Sequence, residues 1–287
     1  MDILIWLHRH LQGPVDALKI RPLARRCFRF FLNSGTRKLR SVRQNDRLWR
    51  LDPEVALRGE FQELDTVLWL RRVLKPGMQA IDVGANVGQM TLEMAKLVGP
   101  SGKVIAIEPA PGNLALLERH IEANGFSDRV QIVAAACTEV AEEVVHLKVF
   151  GNHPDAIGSG HTIIFDRPPL ESEKKLGSTL IEARGVSIDF LCEDLCLVPD
   201  VIKIDVEGAE LQVLRGGKHT LGKLNPYLRF AFHPFAFANA KEATNEIRGL
   251  LDSLGYDVKN LVDLQLSEYS VQPIRRRIPA KEEASLR

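Results

Sequence analysis

The chain has 287 residues, 45% hydrophobic and 26% charged, so it can bury a core and is not a disordered chain. Its four cysteines are too few for a disulfide scaffold. No apolar run approaches the roughly 18 residues of a membrane span, and we expect a cytoplasmic protein. The net charge of +1 conceals an asymmetry, because residues 1–50 hold 12 basic and 3 acidic residues while residues 51–287 hold 26 basic and 34 acidic ones.

Residues 1–55 are predicted to form a basic helical extension. The stretch 18–32 mixes leucine, isoleucine and phenylalanine with five lysine or arginine residues, which is typical of a basic amphipathic helix. Such a helix can lie on an anionic membrane surface, cap the body of the protein, or contact a second copy of the chain. The sequence leaves these partners open.

From residue 60 onward, apolar strands alternate with amphipathic helices. This alternation predicts βαβ units and a parallel sheet in one domain spanning residues 56–272. A stretch rich in Gly, Pro and His predicts an inserted loop at 151–183, and residues 273–287 are predicted to be a flexible tail. The predicted strands are 80–83, 104–107, 130–136, 144–149, 186–191, 201–204, 228–232, 256–262 and 267–271, and the predicted helices include 90–97, 114–123, 209–221 and 242–254.

The first predicted strand of the domain leads into a glycine-bearing turn and a helix. A nicotinamide-binding G-x-G-x-x-G would need glycine two and five residues after Gly84, where the chain has Asn86 and Gln89. The spacing Asp82-x-Gly84-x-Asn86-x-Gly88 suits a ligand without a pyrophosphate, such as S-adenosylmethionine. A carboxylate favours its cationic end, and the N–H groups of a helix N-terminus favour its carboxylate.

The next predicted strand ends at Glu108, 20 residues after Gly88. An acid at this place can accept both hydrogen bonds from a ribose diol. Because NAD and S-adenosylmethionine both contain a ribose, Glu108 indicates a nucleoside without choosing between the two.

A second acidic cluster follows the apolar strand at 201–204. Asp205, Glu207 and Glu210 lie within six residues, and such crowding is costly unless a cation, a metal or a substrate hydroxyl uses the carboxylates. The sequence shows no clear third ligand beside Asp205 and Glu207, so no metal is expected.

Together these segments resemble the FkbM family of S-adenosylmethionine-dependent methyltransferases. The resemblance rests on Asp-Val-Gly-Ala-Asn-Val-Gly at 82–88 and Ile-Lys-Ile-Asp-Val-Glu-Gly-Ala-Glu at 202–210, supported by residues 214–217 and 225–226, and it covers about residues 60–235. It implies a class I methyltransferase (Rossmann-like) α/β fold, with a mainly parallel seven-stranded sheet, helices on both faces, and O-methylation of hydroxyls on natural products or sugars.

The resemblance also implies roles for individual residues, from the methionine end of the cofactor to its adenine. Those expected to hold the methionine end are Asp82, Gly84, Asn86 and Gly88, with Glu108 on the ribose, Ala135 and Ala136 bordering the adenine, and Asp205 and Glu207 facing the transferred methyl.

The chain departs from the family at the strand after residue 226. Family members usually place a glutamate near the end of that strand, where this chain has Ala231. An alcohol must lose a proton during methyl transfer. We therefore expect Asp205 or His233 to be the base, with Glu207 as the orienting residue or second acid.

The functional prediction is O-methylation of a hydroxyl on a small molecule, natural product or sugar/glycan. The alternative is a methyltransferase-like binding or regulatory protein with weak or no catalysis, which Ala231 favours and the intact Asp205 and Glu207 oppose. A nucleic-acid substrate is not expected, since an acidic strand end repels phosphate.

Overall fold

The structure is a computed structural model that describes residues 39–53, 55, 63–150, 162–163, 178–258 and 268–271. The predicted amphipathic helix at 18–32 and the predicted tail at 273–287 lie outside the described residues, as does most of the predicted insertion. The described strands are, in chain order, β1 (Arg40–Gln44), β2 (Arg47–Leu51), β3 (Gln79–Val83), β4 (Lys103–Ile107), β5 (Val130–Val133), β6 (Ala136–Cys137), β7 (Val144–Phe150), β8 (Thr162–Ile163), β9 (Ser178–Val186), β10 (Val201–Ile204), β11 (Tyr227–Ala231) and β12 (Glu268–Val271).

The helices lie before and between the strands of the central sheet. They are α1 (Leu64–Val73), α2 (Gln89–Val98), α3 (Pro111–Ala123), α4 (Ile188–Asp194), α5 (Glu210–Arg215), α6 (Lys218–Leu224) and α7 (Ala240–Ser253), with a short 3₁₀ turn at Pro234–Ala236. Within the described residues, every helix is too short or too polar to cross a bilayer.

The central sheet has the strand order β12-β11-β10-β3-β4-β5. All neighbouring pairs are parallel except β11 and β12, which are antiparallel. The order reverses between β3 and β10, and ligands of open α/β sheets bind at the carboxyl ends of strands where the order reverses. This arrangement confirms the predicted α/β class I methyltransferase fold, although the described residues contribute six strands to the sheet and not seven.

The sheet is buried between two layers of helices, because alternate side chains of each strand point to opposite faces. Ala80 and Val104 pack with α1, α2 and α3 in one hydrophobic cluster, whereas Ile81 and Ile105 pack with α4 to α7 in the other. Strands that are covered on both faces are apolar at nearly every position. A charged residue in the middle of such a strand therefore needs a buried partner.

The predicted helical character of residues 40–51 is wrong, because these residues form the β-hairpin β1–β2. Its turn residues Asn45 and Asp46 have positive φ of 45° and 64°, which suits a two-residue hairpin turn. Val42 and Trp49 are buried while Arg43 and Arg50 are exposed, so these two basic residues occupy the solvent face of the hairpin, and Arg47 is half-buried.

The hairpin is fastened to the loop that follows β3 through a buried histidine. Nε2 of His120 accepts a hydrogen bond from the backbone N–H of Asp52 at 2.9 Å, and Nδ1 donates to the carbonyl oxygen of Val87 at 2.7 Å. A second contact joins Arg47 to Glu93 on α2. The C-terminal part of the predicted extension is thus packed against the body.

Four other predicted elements differ in the structure, among them the strand at 256–262, whose described residues 256–258 form only a single bridge at Tyr256. Residues 188–191 belong to helix α4 and not to a strand, because the Ser187 side chain caps the helix by accepting the backbone N–H of Phe190 at 3.2 Å. The predicted helix at 209–221 is split into α5 and α6 at Gly216, where a Cβ would lie 2.2 Å from the carbonyl oxygen of Thr138. The predicted strand at 130–136 is divided into β5 and β6.

A second sheet follows β5, with the order β6-β9-β7-β8. Strand β7 pairs antiparallel with β9 from Val144↔Arg184 to Phe150↔Ser178. Residues 178–183 were expected within an inserted loop, but they form most of β9, which carries the chain back to the domain.

Candidate active site

The first part of the site is the carboxylate at the end of β3. Asp82 has no exposed surface, and its Oδ2 accepts a hydrogen bond from Thr91 Oγ1 of α2 at 2.6 Å. Burial raises the pKa of Asp82, while Lys203 and the Thr91 hydroxyl oppose that rise. The side chain is therefore held rigidly at the base of the loop that joins β3 to α2.

The loop itself requires glycine at both predicted positions. A Cβ on Gly84 would lie 1.9 Å from the carbonyl oxygen of Asp205, and a Cβ on Gly88 would lie 2.6 Å from Cδ1 of Leu117. Both glycines also have positive φ, as does Asn86 at 51°. The loop can therefore approach the end of β10 closely and place the N-terminus of α2 at the sheet edge.

Glu108 follows β4 and supports this loop from the other side. Its Oε2 accepts the backbone N–H of Asn86 at 2.9 Å, and its Oε1 accepts from the Ala110 N–H at 3.0 Å and from Asn113 Nδ2 at 3.1 Å. Burial raises the pKa of Glu108, and these donors oppose the rise. Its predicted contact with a ribose stays a prediction.

A buried lysine joins the two sequence motifs. Lys203 lies beside Asp82 in the register of β10 and β3. Its Nζ is 3.6 Å from Asp82 Oδ1, 3.4 Å from Asp205 Oδ2, and donates to the carbonyl oxygen of Gly84 at 3.3 Å. Burial alone disfavours the ammonium, but the carboxylates of Asp205 and Asp82 outweigh it, and the pKa of Lys203 is raised.

The acidic residues after β10 meet a histidine that follows β11. His233 Nε2 lies 3.7 Å from Asp205 Oδ1 and 3.6 Å from Glu207 Oε2. On the other side of the ring, Nδ1 donates to Oε1 of Glu210 at 2.7 Å. The three predicted residues Asp205, Glu207 and His233 are thus brought together, and the fold supplies the third donor group that sequence reasoning did not find.

The electrostatics of this cluster are dominated by the carboxylates. Burial lowers the pKa of His233, but the hydrogen bond to Glu210 and the charges of Glu210, Glu207 and Asp205 outweigh it and raise the pKa to about 9. Burial raises the pKa of Glu207, with His233 opposing. Glu207 also has a φ of 51°, a left-handed conformation that is costly for a residue other than glycine.

A small recess that is open to solvent lies beside Lys203 and Asp205. Ala231, which stands where the family is expected to carry glutamate, lies on its wall. The small side chain leaves room there. The lining residues are Glu63, Thr66, Lys203, Ile204, Asp205, Arg229 and Ala231.

The two alanines expected at the adenine are both buried. Ala135 and Ala136 are 1% and 2% exposed, and Ala135 belongs to the hydrophobic cluster that contains Ile81 and Ile105. Ala136 pairs with Gly185 of β9. Their contact with an adenine stays a prediction.

The residues around the loop fit the methionine end of S-adenosylmethionine. Among the described residues, three buried polar atoms here lack a hydrogen-bond partner: Asp82 Oδ1, Asn86 Oδ1 and Gln89 Nε2. Two of these atoms can accept hydrogen bonds from an ammonium group, and the third can donate to a carboxylate. Buried groups of this kind need partners, which a zwitterionic ligand supplies.

Sequence reasoning missed two residues that organise the site, Thr91 and Lys203. It named Glu210 but missed that this residue orients His233. The signal for Lys203 was available, since a lysine inside the apolar run Val-Ile-Lys-Ile must find a buried counter-charge. Thr91 carried no comparable signal. The role of Glu210 depends on where β11 ends relative to α5, which spacing along the chain does not reveal.

Comparison with known proteins identifies the family to which the chain is similar. Residues 82–258 match the family model described as "Methyltransferase FkbM domain". The chain is 28% identical over 147 residues to "Methyltransferase 1" of Beauveria bassiana and 29% identical over 157 residues to "Methyltransferase sdnD" of Sordaria araneosa, in each case over 47% of this chain. It spans 57% and 59% of the length of these two relatives.

Among solved structures, the chain is similar to the methyltransferase FkbM from Methylobacillus flagellatus KT. The TM-score is 0.39 at 15% identity, and the match covers 69% of this chain and 46% of the other.

Proposed function

The chain belongs to the FkbM methyltransferase family, and from this premise we propose that it transfers a methyl group from S-adenosylmethionine to a hydroxyl oxygen. The cofactor is S-adenosylmethionine, whose sulfonium supplies an electrophilic methyl group. The observation that supports an oxygen acceptor is the cluster of Asp205, Glu207 and His233 at the carboxyl ends of β10 and β11. An alcohol must lose a proton to become a good nucleophile, and the cluster offers groups that take it.

The loop after β3 supports the binding half of this function. Asp82 and Asn86 each hold a buried acceptor oxygen without a hydrogen-bond partner among the described residues, which an ammonium group of the ligand would satisfy, and the N-terminus of α2 favours a carboxylate. The Gly84–Asp205 contact brings this loop against the end of β10, so a ligand on the loop lies next to the acidic cluster. Holding both reactants at this edge supplies the proximity on which methyl transfer depends.

The acidic cluster supports the proton-transfer half. His233 directs both ring nitrogens at carboxylates, which favours the imidazolium form and leaves the oxygens of Asp205 and Glu207 as the proton acceptors. Asp205 also lines the recess beside Arg229 and Ala231, where an acceptor hydroxyl can reach it. We therefore assign Asp205 as the base, Glu207 as the second acid, and His233 as the residue that holds them.

For the acceptor we propose a small molecule, natural product or sugar/glycan. Asp205 lies on the wall of the recess, where a terminal hydroxyl of such a molecule can approach it. The family resemblance predicts a glutamate on the wall of the recess, where this chain has Ala231. This suits an acceptor that does not need a second acid at that place.

The decisive experiment measures both the binding of S-adenosylmethionine and the transfer of its methyl group. Calorimetry should show S-adenosylmethionine binding to the full chain and its loss in Asp82→Ala. Incubation with isotopically labelled S-adenosylmethionine and fractionated small molecules or glycans should give a labelled product whose methyl resists alkali, as an ether does and an ester does not. Binding without transfer to any fraction would support the binding-protein alternative, and unchanged affinity in Asp82→Ala would contradict the cofactor site.

We further propose that the protein acts in the cytoplasm and that residues 1–50 contact an anionic membrane surface or a second copy of the chain. The free buried thiols of Cys137 and Cys192 suit a reducing compartment, and the basic excess of residues 1–50 suits an anionic surface. Cell fractionation, co-sedimentation with anionic vesicles and the molar mass in solution test these proposals.

A further inference from the structure

We propose that Asp205, Glu207 and His233 form a binding site for one divalent cation of the Mn²⁺ or Mg²⁺ type, with Glu210 as the residue that orients the imidazole. One ligand atom from each of these three side chains lies within 4.8 Å of the other two. The Nε2 atom of His233 is 3.6–3.7 Å from an oxygen of each carboxylate. A cation with ligand distances of about 2.1 Å needs only small side-chain rotations to bridge such donors.

The imidazole is already oriented as in a metal site. Nδ1 of His233 donates to Oε1 of Glu210 at 2.7 Å, and Nε2 faces Asp205 and Glu207. A histidine that ligates a metal commonly donates its other ring N–H to a carboxylate, which fixes the ring and makes the ligating nitrogen more basic. Glu210 has no exposed surface and also accepts the backbone N–H of Gly208 at 2.9 Å, so this carboxylate cannot swing away.

A second observation on Glu210 independently points to missing positive charge. Its Oε2 atom is buried and has no hydrogen-bond partner among the described residues. A buried carboxylate that is only partly satisfied is costly unless positive charge lies close by. The imidazole of His233 lies between Glu210 and the other two carboxylates. A cation bound to this imidazole would therefore stabilise the Glu210 carboxylate through the ring.

The charge balance of the whole cluster favours a cation. Four carboxylates, those of Asp82, Asp205, Glu207 and Glu210, lie around this strand end, and Lys203 supplies one permanent positive charge. Glu63 and Arg229, which also line the recess, carry opposite charges that cancel in this balance. A proton on the imidazole neutralises one more. A divalent ion that takes the place of this proton leaves the cluster closer to neutral than the proton does, because it brings one additional positive charge.

The donor set selects the class of ion. Carboxylate oxygens suit Mg²⁺ and Mn²⁺, whereas an imidazole favours a transition metal over Mg²⁺, so Mn²⁺ is the ion that accepts both kinds of donor. Two carboxylates and one histidine leave positions open for water or for an acceptor oxygen. We therefore use Mn²⁺ alone as the probe, with Mg²⁺ as its competitor.

The position of the site gives the ion a role that rests on the proposed function. Asp205 belongs both to the ligand set and to the wall of the recess. A hydroxyl that enters the recess can therefore reach an open coordination position. Coordination lowers the pKa of a bound hydroxyl and helps the carboxylates to take its proton.

Mn²⁺ binding to the full chain is measured by the loss of the free-ion signal in electron paramagnetic resonance, without any acceptor. We expect one site, competed by Mg²⁺, with affinity reduced about tenfold or more in His233→Gln and about 10- to 100-fold in Glu210→Gln. Glu193→Gln, which removes an exposed acid on α4, is the matched control and should bind Mn²⁺ normally. Unchanged affinity in His233→Gln, or no Mn²⁺ binding to the wild type, would overturn the inference.

A measurement on the wild type avoids the risk that a variant fails to fold. Pulsed electron paramagnetic resonance of the Mn²⁺ complex should show coupling to a histidine nitrogen, which changes when the protein is labelled with ¹⁵N-histidine. Absence of this coupling also contradicts the site. Calorimetry with S-adenosylmethionine separates the two proposals: cofactor binding without Mn²⁺ binding rejects the metal site alone, and Mn²⁺ binding without cofactor binding rejects the proposed function.

Discussion

Lys203 and Asp82 stand side by side on neighbouring parallel strands, with Nζ of the lysine 3.6 Å from Oδ1 of the aspartate. The same ammonium lies 3.4 Å from Oδ2 of Asp205. One buried cation therefore links the carboxylate of the cofactor loop to the carboxylate of the proposed proton-transfer cluster. The two motifs, which are more than a hundred residues apart in the chain, form one electrostatic unit.

Lys203→Met should destabilise the protein strongly, because it leaves Asp82 buried without its cation. Breaking a buried ion pair by removing one partner costs about 3–5 kcal/mol. The free energy of unfolding in urea measures this loss. Lys96→Met, which removes an exposed lysine of α2, is the control and should change stability little. Equal effects of the two substitutions would show that the buried pair is not important for stability.

Gly84→Ala and Gly125→Ala provide a matched pair for the loop geometry. Both glycines have positive φ, 76° and 72°, so both alanines should cost about 1–2 kcal/mol from backbone strain. Only at position 84 does a Cβ meet another chain segment, the carbonyl of Asp205 at 1.9 Å, whereas nothing lies within 4 Å at position 125. We expect a larger loss of melting temperature and a loss of S-adenosylmethionine binding in Gly84→Ala alone. Similar behaviour of both variants would contradict the tight contact.

The buried His120 should make the protein less stable as the pH is lowered. Burial lowers the pKa of His120 below its ordinary value of 6.5, so the folded state keeps the ring neutral where the unfolded state binds a proton. Stability is therefore full above about pH 6.5 and is lost as the pH falls towards the folded-state pKa. Urea midpoints from about pH 7.5 to about 5 should decline more steeply for the wild type than for His120→Gln. Parallel curves would show that His120 does not contribute.

Asp205→Asn should separate chemistry from cofactor binding. The amide keeps the size of the side chain but cannot accept a proton, so the turnover number should fall about 10²-fold or more. S-adenosylmethionine affinity by calorimetry should change little, since the loop groups at Asp82 and Asn86 are retained. The rate of methyl transfer in a single turnover is measured with the acceptor found in the labelling experiment. Glu193→Gln is again the control and should transfer the methyl group at the wild-type rate. Normal turnover in Asp205→Asn would mean that another group takes the proton.

Local pattern allowed most of the central fold to be predicted from the sequence. The strands around positions 80, 104 and 202 are short apolar runs that end at glycine or acidic residues, and the strand around 229 lies between two prolines. The structure confirms each of the four. The hairpin at 40–51 was missed because its many arginines resemble a basic helix, although its apolar residues alternate with period two. Residues 188–191 were missed because a buried helix and a buried strand are equally apolar over so few residues.

The sequence by itself determined the α/β class, the family, and which acidic residues end β3 and β10, because period, glycine spacing and motif letters are local properties of the chain. Only the tertiary structure decided that Lys203 joins Asp82 to Asp205 and that Glu210 holds His233 against Asp205 and Glu207. These contacts depend on the order and register of strands that are distant in sequence. Because a shift of register by one residue turns every side chain to the other face, such contacts exist only once the sheet has assembled.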